Sequence, residues 1–292
     1  MLKRIGSGDP CWCGSRKPYG QCHQEFDRKV SRARFMGHEV PSHKIIKTPE
    51  QIQGIRESGK LNVAVLDYVA ERIRAGITTA EIDQWVYDYT TKHGGIPAPL
   101  GYEGFPKSVC TSVNDAVLHG VPYDYNLKDG DLVSLDLAIN VDGWVADSAI
   151  SFCVGTQHPD DLRLIKCTEE ALAAGIEAAQ PGNRLGDVSC AVGDVAREYG
   201  YPINLEFGGH GVGHIMHGDP HVPNDGKAHH GYKLRPGLVI AIEPWFLKTT
   251  DEIYQDPKDG WTLRSEDGSR GAHSEHTIAI TENGPVILTT RD

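Results

Sequence analysis

Two apolar runs, Leu132-Val-Ser-Leu-Asp136-Leu-Ala-Ile-Asn-Val141 and Trp144-Val-Ala-Asp147-Ser-Ala-Ile-Ser-Phe152, flank the pair Asp142-Gly143. Asp-Gly between such runs marks a two-residue hairpin, because a type I′ turn needs positive φ at both central positions. The turn fixes the register: 141 opposes 144, 138 opposes 147, and 136 opposes 149. Asp136 and Asp147 then share a face as diagonal neighbours, about 7–8 Å apart along the backbone. Two carboxylates on a half-buried face repel each other and lose hydration, so they call for a cation between them. Solvation on an open face would also serve, but Leu135, Leu137, Val145 and Phe152 argue for the buried arrangement.

The second half of the chain offers more ligands. In Phe207-Gly-Gly-His210-Gly-Val-Gly-His214-Ile-Met-His217, four glycines forbid a stable helix, so the histidines ride on extended or looped backbone. No H-E-x-x-H motif occurs. Leu238-Val-Ile-Ala-Ile-Glu243-Pro244 is a buried-strand run ending in a carboxylate, and Ser274-Glu275-His276-Thr-Ile-Ala-Ile starts another with one. Asp136, Asp147, His210, Glu243 and Glu275 make a hard, oxygen-rich set. Such a set suits two divalent first-row ions better than a single tetrahedral zinc. Two close ions generate hydroxide near neutrality and polarise a carbonyl, so metal-assisted hydrolysis is the expected reaction class.

Composition sets the frame. A chain of 292 residues, 24% charged and 39% hydrophobic, is long enough for a substantial core without disulfides. It lacks the long apolar run of a membrane span and the hydrophobic core of a signal peptide, so a soluble, non-secreted protein is expected, in the cytoplasm and as a monomer, although nothing in the sequence fixes the oligomeric state. Residues 1–43 carry eight Lys and Arg against four Asp and Glu, although the whole chain has a net charge of −11. A basic leader on an acidic body suggests contact with something anionic, a solvated face being the plain alternative. Cys11, Cys13 and Cys22 crowd that leader, whereas Cys110, Cys153, Cys167 and Cys190 are scattered as packing residues. This is not a secreted disulfide framework.

Cys11, Cys13, Cys22 and His23 supply four soft ligands in a segment too short to form a core unaided, a pattern that folds on zinc. The boundary is expected between this leader, 1–43, and a body, 44–292. Thr48-Pro49-Glu50-Gln51 opens the body as a capping box, and an amphipathic stripe from Ile52 runs on until Gly76. A second box, Thr78-Thr-Ala-Glu81, opens a helix reaching Gly94. Helices over Pro159–Gln180 and from Gly182 to Gly200 repeat the arrangement, with Glu81 matching Asp187. Each pair precedes a strand-rich block, 109–155 or 203–290, which suggests two related αβ halves around one core.

Residues 44–291 resemble type I methionine aminopeptidases, through Gly101-Tyr102-Glu-Gly-Phe105-Pro-Lys-Ser-Val-Cys110, Asn114, His119-Gly-Val-Pro, Asp136, Asp147, Gly209-His210-Gly211, His217, Glu243-Pro244 and Glu275-His276-Thr277. The leader resembles the SEC-C motif. The resemblance implies an α+β, pita-bread fold of two pseudo-symmetric halves around an antiparallel sheet, and removal of initiator methionine from nascent chains with a preference for small second residues. It implies two divalent ions (Co, Mn, Fe or Zn) on Asp136, Asp147, His210, Glu243 and Glu275, with Asp147 and Glu275 bridging. Glu243 would also shuttle the proton of the attacking water, and His217 would contact the scissile peptide and its tetrahedral intermediate. His119 would lie near the second residue, and Tyr102, Phe105, Cys110 and Trp261 would line an apolar slot for the thioether. Pro99 and Met216 depart from the common pattern. A structural zinc in the leader and a ribosome contact through it complete these expectations. An X-Pro peptidase of the same fold, or a non-catalytic adaptor, are the competing readings.

Overall fold

The computed structural model describes residues 5–11, 16–36 and 45–290. Cys13 and the expected boundary at residue 43 lie outside the described residues. The helices are α1 (Gln24–Phe35), α2 (Pro49–Ala70), α3 (Thr79–Lys92), α4 (Pro159–Ala178) and α5 (Leu185–Tyr199). The first half of the body adds strands β1 (Ile96–Pro97), β2 (Cys110–Val113), β3 (Ala116–Leu118), β4 (Leu132–Val141) and β5 (Trp144–Cys153). The second half holds β6 (Gly208–Gly211), β7 (Gly218–Pro223), β8 (Val239–Ile242), β9 (Trp245–Leu247), β10 (Ile253–Gln255), β11 (Leu263–Ser265), β12 (Gly271–His273), β13 (Glu275–Thr281) and β14 (Gly284–Ile287).

Nine strands form one antiparallel sheet in the order β1-β4-β5-β13-β8-β6-β7, with β2 added on β4 and β14 on β13. The two halves therefore meet at the β5–β13 seam. The hairpin has the expected register, Val141 opposite Trp144, Ala138 opposite Asp147 and Asp136 opposite Ala149. Its turn has φ of 51° at Asp142 and 85° at Gly143, as a type I′ turn requires.

Strand alternation separates core from site. Val133, Leu135, Leu137 and Ile139 of β4 pack with Val65, Leu66 and Val69 of α2 and with Ile82 and Val86 of α3. Asp136 and Ala138 point the other way, into a cavity. In the second half, α4 and α5 bury Leu164, Cys167, Val188 and Val192 against Ile240, Ile242, Ile278 and Ile280. Close contact of α2 with the sheet depends on Gly59, where a Cβ would stand 2.1 Å from the Leu288 carbonyl oxygen.

The internal symmetry is visible in the helix starts. Glu81 accepts a hydrogen bond from the Thr78 N–H at 2.8 Å, and Asp187 accepts one from the Arg184 N–H at 2.7 Å. Thr78 and Arg184 each also form an isolated antiparallel bridge, to Asn126 and Lys233 respectively. Two details differ from the sequence reading. Helix α2 stops at Ala70, and residues 71–76 turn so that the Gly76 N–H meets the Leu127 carbonyl. Helix α4 ends at Ala178, two residues short, because Ala179 leaves the helical region with ψ of 42°. Cys110 and Cys167 are buried as expected, whereas Cys153 and Cys190 are only half-buried, Cys190 beside Asp194 on the surface of α5.

Candidate active site

The carboxylates converge because the sheet aligns them. Glu275 opens β13 directly opposite Ala149, and Ala149 itself lies opposite Asp136, so one transverse row carries both acids across β4, β5 and β13. Asp147 lies one pleat further along β5. On β8, the residue after Ile242 is Glu243, with His276 of β13 opposite Ile242. His210 comes from β6, whose neighbours must be glycines. A Cβ on Gly209 would sit 2.2 Å from the Ala241 oxygen, and one on Gly211 would sit 1.9 Å from the Asp219 oxygen.

Within this cluster, His210 Nε2 is 3.5 Å from Glu243 Oε1 and 3.8 Å from Asp147 Oδ2. Ligand atoms of Asp136, Asp147 and Glu275 lie within 4.8 Å of one another, as do those of His210, Glu243 and Glu275. His210 Nδ1 sits 3.2 Å from the Gly211 carbonyl oxygen, so it carries the proton and leaves Nε2 a bare lone pair toward the acids. Burial, reinforced by nearby His217, holds the His210 pKa down to about 3, so the ring is neutral.

Burial drives the acids the opposite way. Asp136 is raised to about 7, and Asp147, Glu243 and Glu275 stand well above the usual carboxylate range through burial and mutual repulsion. Among the described residues, Asp147 Oδ1 and Glu275 Oε1 are buried without a hydrogen-bond partner. Two buried acids, Asp147 and Glu275, two half-buried ones, Asp136 and Glu243, an imidazole lone pair aimed at them and two orphaned oxygens fit divalent cations, whose charge would restore the acids to their ionised form.

The cluster forms the floor of a cavity of about 690 Å³. Tyr102, Phe105, Cys110, His119, His217 and Trp261 all line it, whereas His214, the third histidine of the glycine-rich run, lies outside it and stacks on Trp144. Phe105 packs edge-on against Trp261, with ring centroids 5.3 Å apart, and Tyr102 does the same to His217 at 5.1 Å. His217 also lies edge-on to His210 at 4.4 Å. His119 sits at φ of 53°, edge-on to Phe207 at 5.8 Å. Burial, then the neighbouring His217, brings the His119 pKa to about 4. Desolvation also lowers His217, against the opposing pull of Glu103. Pro99 and Met216 also line the cavity.

The sequence reading missed Phe207, His221 and Gln255 of the cavity wall and the buried His273. Phe207 and His221 flank the glycine-rich run and could have been found from that neighbourhood. Gln255 comes from a strand with no chemical signature. In the leader, Cys11, Cys22 and His23 come together, with His23 Nδ1 3.3 Å from the Cys11 sulfur and 3.1 Å from that of Cys22.

A buried carboxylate–imidazole floor under a cavity defines a metal-dependent hydrolytic site. Residues 53–282 match metallopeptidase family M24, and residues 9–25 match the SEC-C motif. A methionine aminopeptidase A of Synechocystis is 44% identical over 82% of this chain and 94% of its own length. A methionine aminopeptidase of Chlamydia pneumoniae is 35% identical over 96% of this chain and 97% of its own, so it also spans the leader. The crystal structure of methionine aminopeptidase from Rickettsia prowazekii superposes with a TM-score of 0.82 at 36% identity, over 84% of this chain and 99% of that one. The chain belongs to metallopeptidase family M24, among its methionine aminopeptidases. Membership of a metallopeptidase family implies divalent metal in the body, and the SEC-C match suggests a zinc module in the leader.

Proposed function

We propose that this chain removes N-terminal methionine from nascent polypeptides with small second residues. Asp136, Asp147, His210, Glu243 and Glu275 would hold two divalent ions. When bound, the ions acidify a water and polarise the scissile carbonyl. The observation that carries this reading is the pair of orphaned oxygens, on Asp147 and Glu275, inside a five-residue ligand set.

The remaining steps belong to side chains. Phe105, Trp261, Tyr102 and Cys110 enclose the methionine, a slot whose aromatic edges and sulfur suit a polarisable thioether. Glu243 accepts a proton from the attacking water and returns it to the departing amine. His217, which lines the cavity, donates a hydrogen bond to the scissile carbonyl as negative charge develops there. His119, against Phe207, borders the space for the second residue and favours Ala, Gly or Ser.

The leader, residues 1–43, is a separate module that closes around one zinc through Cys11, Cys13, Cys22 and His23, and its basic residues meet the ribosome. The chain works as a cytoplasmic monomer. No helix among the described residues is long and apolar enough to cross a membrane.

The deciding experiment strips the protein with a chelator, reloads Mn, Co, Fe or Zn, and compares Met-Ala-Ser with Ala-Pro-Ala. Free methionine appearing only with metal is the expected result. Cleavage of the proline peptide instead would shift the substrate to X-Pro, and silence on both with metal bound would leave a non-catalytic adaptor. Ribosome co-sedimentation of a Cys11→Ser variant tests the leader, and undiminished binding would remove that contact.

A further inference from the structure

One buried imidazole is unaccounted for. His273 ends β12 and is 1% exposed, so its ring is cut off from water. Among the described residues, neither of its ring nitrogens has a hydrogen-bond partner. A buried polar atom left in that condition costs about 1–3 kcal/mol, and such a cost persists in a core position where an apolar side chain would pack without it. His273 lies opposite Trp245 in the β12–β9 ladder, two residues after Glu243, and stands two residues before Glu275. The Ser274 N–H locks the two segments together by donating to the Pro244 carbonyl at 3.1 Å. His273 Nε2 consequently faces Glu243 Oε2 at 3.7 Å, while the other oxygen, Oε1, is turned toward His210 at 3.5 Å.

We propose that His273 is a positioning residue that donates Nε2–H to Glu243 Oε2 and so holds Glu243 with Oε1 presented to the metal. This rests on the reading of Glu243 as a ligand. A carboxylate with one oxygen on a cation keeps lone pairs on the other, and an outer donor there fixes its rotamer and tunes its basicity. Of the two neutral tautomers, the one with the proton on Nε2 suits this contact, whereas the other would set a bare Nε2 lone pair against a carboxylate.

The test is calorimetric titration of Mn2+ into stripped protein, which reads affinity without turnover. His273→Leu is expected to weaken binding about 10–100-fold, the usual cost of an outer-shell partner. His273→Gln, whose amide can still donate to Oε2, is expected to recover most of that loss, which a purely space-filling role would not produce. Wild-type affinity in His273→Leu overturns the proposal, as does equal loss in His273→Gln and His273→Leu. Glu243→Ala separates the two readings. If it also binds Mn2+ like wild type, the ligand assignment fails first; if it alone loses affinity, the assignment stands and the role of His273 falls. Should His273→Leu fail to fold, 15N NMR of the rings in zinc-loaded wild type, where the metal keeps Glu243 ionised, decides. A proton on Nε2 of His273 supports the hydrogen bond, and a proton on Nδ1 with a bare Nε2 overturns it.

Discussion

The chain gathers potential metal ligands twice, and the two clusters are built in opposite ways. In the body, Asp136, Asp147, His210 and Glu275 come from four strands of one nine-stranded sheet and Glu243 directly follows a fifth, β8, with apolar side chains packed behind the sheet. In the leader, Cys11, Cys22 and His23 are joined by a short stretch with a 3-10 turn at Tyr19–Gln21, and Cys11 is its one fully buried hydrophobic side chain among the described residues. The sheet fixes where the acids stand through its own pairing and the apolar packing behind it. Among the described residues of the leader only Cys11 is buried, so on the proposed reading a bound metal would supply much of its folding energy.

The largest expected effect follows from that contrast. Chelation should erase amide-exchange protection in residues 16–36 while the sheet of residues 132–153 and 275–287 keeps its own, and zinc should restore the leader. Mass-spectrometric exchange with and without chelator checks this. Equal protection in both states would mean the leader is held by contacts other than metal.

Next comes Glu275→Gln, which should act in opposite directions on activity and stability. Loss of a ligand should lower turnover of Met-Ala-Ser by more than the roughly 100-fold that an outer partner costs. The metal-free protein should gain stability. The folded-state pKa of Glu275 is raised by burial, so the folded chain retains a proton that the unfolded chain releases, and stability falls as pH rises from the unfolded value. The gain from Gln is therefore expected to be small near pH 4.5 and to grow toward pH 7.5 in thermal melts. A gain that is flat with pH would show that Glu275 ionises normally in the fold. Asp136, raised to about 7, predicts the same trend for Asp136→Asn, ending near neutral pH.

The thioether slot should respond differently from the ligands. Trp261→Ala removes the edge contact on Phe105 and exposes one side of the slot. Losing one such burial is worth about 1.5–3 kcal/mol, so KM for Met-Ala-Ser should rise about 10–100-fold. Mn2+ affinity should be unchanged, which calorimetry verifies. A fall in metal affinity would place Trp261 in the support of the cluster.

How far these parts were readable from the sequence follows the same division. Asp136 and Asp147 could be placed because Asp142-Gly143 fixes a register, and register decides which face a side chain occupies. The repeat was legible through Glu81 and Asp187, whose capping roles depend on neighbours three residues away. Glu243 and Glu275 were visible as strand-terminal acids, but their convergence on Asp136 depends on the β5–β13 seam, a pairing of residues over a hundred positions apart. The roles of His119, Tyr102 and Trp261 came from family resemblance alone. His273 carried no signal, since its meaning lies in a cross-strand neighbour and in two nitrogens that nothing else satisfies.

The smallest expected effect concerns whether the two regions touch. The Arg235 guanidinium lies 4.3 Å from the centre of the Phe26 ring, joining α1 of the leader to the loop before β8. A cation–π contact at such a site is worth about 0.5–1 kcal/mol, enough to bias the leader toward one position and too little to fix it. Arg235→Ala should therefore raise the mobility of residues 24–35 in NMR relaxation. It should leave zinc retention and turnover of Met-Ala-Ser at wild-type levels, because neither cluster includes Arg235. Unchanged relaxation would mean that other contacts hold the leader in place. Lost turnover would mean that its position on the body matters to the cavity, making the two clusters one device rather than two neighbours.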